Sequence, residues 1–157
     1  MKRMKKAAAV MFCLLVVLGL SACGGTTVKA ADLGEVMADI EAKVPMENMM
    51  SLPESTLMSE FGIDSADVKQ YAAKVNDTGI KADAIVMVEG TSLDAANRVK
   101  DKMDAYLLRR SNQFNNYIPE EYAVIQNCKV QTFGNYVVLF VSKEADKMTD
   151  IFKSYTT

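Results

Sequence analysis

Apolar and polar positions change rhythm several times along this chain. Residues 7–20 form an unbroken apolar run behind a basic start (Lys2, Arg3, Lys5, Lys6), and no acidic residue precedes Asp32. Residues 24–31 are small and polar without any period, which reads as a short tether. From Asp32 the period becomes helical: Leu33, Val36, Met37, Ile40 and Val44 share one face, Asp32 and Glu35 are spaced as a capping box, and Pro45 marks the end. A shorter helix is expected over 53–61, with Pro53 in its first turn, Leu57, Met58 and Phe61 inward, and Gly62 at its stop.

The period then falls toward two. Tyr71, Ala73 and Val75 alternate with Gln70, Ala72, Lys74 and Asn76, as in an edge strand with one wet face. Residues 84–88 are apolar on both faces, which suits a central strand, and Asn76-Asp77-Thr78-Gly79 supplies turn residues between the two. The longest helical pattern covers 92–114, capped by Ser92, with Ala96, Val99, Met103, Tyr106, Leu107 and Phe114 as its inner stripe. Cys128, Val130 and Thr132 alternate as a third strand, Gly134-Asn135 forms a hairpin turn, and residues 136–141 are apolar on both faces as a fourth. A closing helix after Ser142 carries Met148, Ile151, Phe152 and Tyr155.

These patterns predict an α+β fold. The doubly apolar strands belong in the middle and the alternating ones at the edges, so the expectation is a four-stranded antiparallel sheet of order 1-2-4-3. Two N-terminal helices, a long crossover helix and a C-terminal helix complete it.

The leading segment has the order of a secretory signal peptide, a basic start and then an apolar run. As a membrane span it is too short: residues 7–20 would rise roughly 21 Å against a hydrocarbon core of about 30 Å. It closes on Leu20-Ser21-Ala22-Cys23, which resembles the lipobox of bacterial lipoproteins at all four positions. That resemblance implies cleavage before Cys23, a diacylglyceryl group on its thiol, and an anchor on the outer face of the cell membrane. The expected organisation is a signal peptide over 1–22, a lipidated tether over 23–31, and one globular domain over 32–157.

Composition narrows the chemistry. Cleavage before Cys23 removes four of 18 basic residues and none of the 20 acidic ones, leaving 14 against 20. So acidic a domain is repelled by nucleic acid, and its membrane contact is expected through lipid alone. The chain has no histidine, which removes the commonest general base and the commonest zinc ligand. With Cys13 and Cys23 consumed, Cys128 is the single free thiol, so no internal disulfide is available. Its strand alternation reads as a small buried hydrophobe.

Beyond the lipobox, Phe61-Gly62-Ile63-Asp64, Ala82-Asp83 before an apolar strand, Tyr117-x-Pro119-x-x-Tyr122, Gly134-Asn135-Tyr136-Val137 and the final amphipathic helix stand out. In these features the chain resembles a family of clostridial extracytoplasmic lipoproteins catalogued only as a domain of unknown function. The resemblance implies location and fold, with no catalytic residue and no cofactor.

Among candidate sites, Cys23 is the lipidation position. Arg109, Arg110, Tyr117 and Tyr122 form the densest aromatic and basic concentration, and planar guanidinium with tyrosine suits a protein or cell-wall partner. Their other reading is structural: tyrosines folding a loop onto the core and arginines offsetting the negative end of the long helix. Adjacent Glu120 and Glu121 raise the paired carboxylates of a glycosidase, but neighbouring side chains diverge. Met46, Met49 and Met50 raise a soft-metal carrier, because thioethers suit Cu(I). The expectation is therefore a membrane-anchored, non-catalytic binding module without metal or cofactor. An enzyme of unrecognised type or a soft-metal carrier stands as the alternative.

Overall fold

The computed structural model describes residues 28–157, and Cys23 with the expected signal peptide lies outside the described residues. Helix α1 (Leu33–Lys43) begins where the Asp32 carboxylate accepts the Gly34 and Glu35 N–H groups at 2.8 and 3.1 Å. A short strand β1 (Met49–Ser51) leads to α2 (Glu54–Phe61), which Gly62 closes in the left-handed conformation at φ 70°. A 3₁₀ turn at Ser65–Asp67 opens β2 (Val68–Asn76), and β3 (Ala84–Gly90) returns beside it. Helix α3 (Leu93–Asn115) starts where the Ser92 hydroxyl accepts the Ala95 N–H at 3.1 Å. Then come α4 (Pro119–Gln126), the hairpin β4 (Val130–Phe133) and β5 (Tyr136–Val141), and α5 (Ala145–Thr156).

The architecture is α+β, and the expected four-stranded sheet of order 1-2-4-3 is corrected. The sheet has five antiparallel strands in the order β1-β2-β3-β5-β4. The added edge, β1, pairs Met49, Met50 and Ser51 with Asn76, Val75 and Lys74, so that end of β2 is internal. Three residues ahead of Pro53 are too few to show a period of two. Among the described residues there are also five α-helices. Pro119–Gln126, expected as a loop, is helical, with Pro119 in its first turn and only Glu121 and Ile125 fully buried. The strand expected from Cys128 begins instead at Val130, because Cys128 still bonds back to α4 through its N–H to the Ile125 carbonyl at 3.0 Å.

Helices cover both faces of the sheet. On one, Leu57 and Phe61 of α2, Val99, Met103 and Phe114 of α3 and Ile125 of α4 pack on Val86, Val88, Val137 and Leu139. On the other, Val36 and Ile40 of α1 and Met148 and Phe152 of α5 pack on Ile85, Met87, Val138 and Phe140. Every residue of β3 and β5 is therefore buried, which is why these strands read apolar at nearly every position.

The chain enters this sandwich at the β4–β5 turn. Residues 28–31, expected as the end of the tether, are fastened to the domain. The Lys29 N–H donates to the Thr156 carbonyl at 3.0 Å, and the Ala31 N–H donates to the Tyr136 hydroxyl at 2.9 Å. The Gln70 amide joins them, donating to the Ala31 carbonyl at 2.9 Å and to the buried Glu89 carboxylate at 2.6 Å, while Lys69 pairs with Glu89 at 2.7 Å. The acid ending β3 is thus satisfied by the two residues opposite it on β2.

Candidate functional site

The opposite end of the sheet is open and polar. There β2 ends, β3 begins, β5 runs into α5, and α4 closes over the side. The β2–β3 loop is held in shape by Asn76, whose side-chain amide donates to the Glu47 carbonyl at 3.0 Å and whose carbonyl oxygen accepts the Thr78 N–H at 3.0 Å. Arg110 of α3 reaches the same loop, donating to the Lys81 carbonyl at 3.3 Å while its guanidinium lies 4.7 Å from the Phe114 ring centroid.

Glu121, in the first turn of α4, points into this end and is 5% exposed. One carboxylate oxygen pairs with Lys81 at 2.7 Å and the other accepts the Ala82 N–H at 2.8 Å. Burial opposes its ionisation, but the Lys81 ammonium and the Ala82 N–H outweigh burial and hold its carboxyl below the ordinary glutamate value. Asp83 is different. Among the described residues its half-buried carboxylate has neither an ion pair nor a hydrogen bond, and burial, followed by the neighbouring charge of Glu121, pushes its pKa up against the pull of Lys81 and Lys143.

Asp83, Glu121, Lys81 and Lys143 share a pocket of about 400 Å³, with Met46, Ile80 and Val124 among its apolar walls. A second pocket of about 450 Å³ adjoins it across Val124, Ser142 and Lys143, and takes in Glu120 and Asp146. Cys128 sits just outside, half-buried rather than buried, its thiol 3.2 Å from the Val124 carbonyl and pushed up in pKa by burial.

The four residues expected as one binding surface have different surroundings. Arg109 donates to the Glu60 carbonyl at 2.7 Å and lies 5.9 Å from the Tyr106 ring, stapling α3 to α2. Arg110 serves the β2–β3 loop. Tyr117 is 82% exposed, and Tyr122 is partly buried against the core. Glu120 and Glu121 diverge, one exposed and one buried. The methionines also diverge: Met46 and Met49 pack in the α1–α5 layer, whereas Met50 faces Phe61 and Tyr106 across the sheet. Among the described residues no three His, Cys, Asp or Glu side chains are grouped to hold a metal ion.

Sequence reasoning missed Asp83 and Lys143 as pocket residues. The available signal was Lys81-Ala82-Asp83, two opposite charges directly before the apolar run of residues 84–88.

An antiparallel sheet covered by helices on both faces, with a polar pocket at one end, defines an α+β domain. A family described as a domain of unknown function, DUF4358, matches residues 28–142, and the chain belongs to it. No curated protein and no solved structure matches the chain.

Proposed function

We propose that this chain is a lipoprotein of the clostridial extracytoplasmic type, a non-catalytic binding module held on the outer face of the cell membrane through Cys23. The observation that carries this reading is Leu20-Ser21-Ala22-Cys23 at the end of the apolar run 7–20. Two acyl chains give a durable anchor where one does not. Among the described residues no helix is long and apolar enough to cross a membrane.

The point where the chain enters the domain supports the same reading. From Cys23 to Val28 the chain spans at most about 18 Å. Val28 lies beside Gly134, so the β4–β5 turn is the membrane-proximal end. Strand β3 runs from Ala84 at the pocket to Gly90 at the proximal end, about 20 Å at 3.3–3.4 Å per residue. The pocket is thereby presented outward, to a soluble, protein or cell-wall ligand. Binding is favoured over catalysis because the buried acids Glu89 and Glu121 are both ion-paired and hydrogen-bonded, and the chain has no histidine.

Intact mass of the membrane fraction tests the proposal. The wild-type protein is expected to begin at Cys23 with a diacylglyceryl adduct, and Cys23→Ala to accumulate as uncut precursor. A wild-type species lacking the adduct overturns the reading.

A further inference from the structure

Three charged residues line the outward pocket without an ion-pair partner among the described residues, the acids Asp83 and Glu47 and the base Lys143. Among the described residues, neither the Asp83 carboxylate nor the Lys143 ammonium belongs to an ion pair, and they do not pair with each other. The other two charges there behave differently, because Lys81 and Glu121 neutralise one another at 2.7 Å. The pocket therefore offers an unpaired anion at Asp83 and an unpaired cation at Lys143, near enough for the lysine charge to act on the carboxyl without forming an ion pair. Met46, Ile80 and Val124 add apolar surface beside the polar Asn48, Asn76, Thr78 and Ser142, and the space of about 400 Å³ is within the ordinary range for small-molecule sites.

A simple cation would satisfy Asp83 and meet repulsion from Lys143, and a simple anion the reverse. A small molecule carrying both charges on neighbouring atoms satisfies both at once. We propose that this pocket binds a free α-amino acid, its ammonium on Asp83, its carboxylate on Lys143, and an apolar side chain against Met46, Ile80 and Val124. The inference deepens the binding-module reading and rests on it for the direction in which the pocket faces. Asp83 is partly desolvated, which disfavours its charged form, so an arriving ammonium gains more there than at a fully hydrated surface carboxylate.

The test titrates the full-length, detergent-solubilised protein calorimetrically with L-leucine, L-leucinamide and 4-methylpentanoate, which carry both charges, the ammonium alone and the carboxylate alone. L-leucine is expected to bind at one site, and each single-charge analogue about tenfold or more weaker. Asp83→Asn is expected to weaken L-leucine and L-leucinamide but not 4-methylpentanoate, and Lys143→Gln to weaken L-leucine and 4-methylpentanoate but not L-leucinamide. Both positions are at least partly exposed, and a melt of each variant verifies that it folds. No saturable L-leucine binding at millimolar concentration overturns the inference, as does binding unaltered in both folded variants. Either result leaves the Cys23 mass measurement standing, so failure of the ligand assignment and failure of the anchor are distinguishable.

Discussion

Asp83 and Glu121 share a pocket and have opposite energetics. The Asp83 proton is held more tightly in the folded chain than in the unfolded one. Its contribution therefore favours folding below the ordinary value of 3.8 and is lost as pH rises through the higher folded-state pKa. At pH 7 the charged carboxylate is a net cost. Asp83→Asn is expected to raise the melting temperature at pH 7 by about 1–3 °C, the effect being small because water screens a half-exposed group. The difference from wild type shrinks as the pH is brought below 4, and a pair of melting curves at the two pH values checks it. Glu121 runs the other way: its stabilisation is present above the unfolded pKa and lost as pH falls through the depressed folded one. Glu121→Ala strands the Ala82 N–H without its acceptor and is expected to cost about 1–3 kcal/mol in denaturant unfolding. Lys81→Ala is expected to cost less than Glu121→Ala in the same measurement, because the lysine side chain is 51% exposed and its charge is screened by water.

At the scale of elements, the junction from β3 to α3 is the tightest. A Cβ at Gly90 would lie 2.7 Å from the Ala96 nitrogen and 3.0 Å from the Ser92 carbonyl, all backbone that cannot rotate aside. Gly90→Ala is expected to displace the start of α3 and cost about 1–3 kcal/mol, measured by urea unfolding. The stripe of α3 and the doubly apolar strands could be read from period alone, because their burial repeats along the sequence. Strand β1 could not be read, since its three residues are held by pairing with β2. Helix α4 was also hidden: Pro119, Glu120 and Glu121 look like loop residues until Glu121 turns inward to Lys81 and Ala82.

Across the whole molecule, both helical layers are needed to bury the sheet. The family match ends at Ser142, yet α5 beyond it supplies Met148 and Phe152, fully buried, and Ile151. Each such side chain contributes about 1.5–3 kcal/mol, and three together rival the 5–15 kcal/mol total of an ordinary domain. A chain truncated after Ser142 is expected to show no cooperative thermal transition by circular dichroism, and a sharp transition would show that the match defines a self-sufficient unit.

The sequence by itself determined the features with local causes: the apolar run closing on Cys23, the capped helices, and the strands whose apolar residues fall on one face or both. Tertiary structure alone decided the polar pocket. Lys81 meets Glu121 across 40 positions of chain, and Asp83 and Lys143 line one cavity because β3 and β5 are neighbours in the sheet. Periodicity records how often a residue is buried, which is a local quantity. It holds no record of which distant charge lies opposite, because that depends on strand order and on the packing of α4.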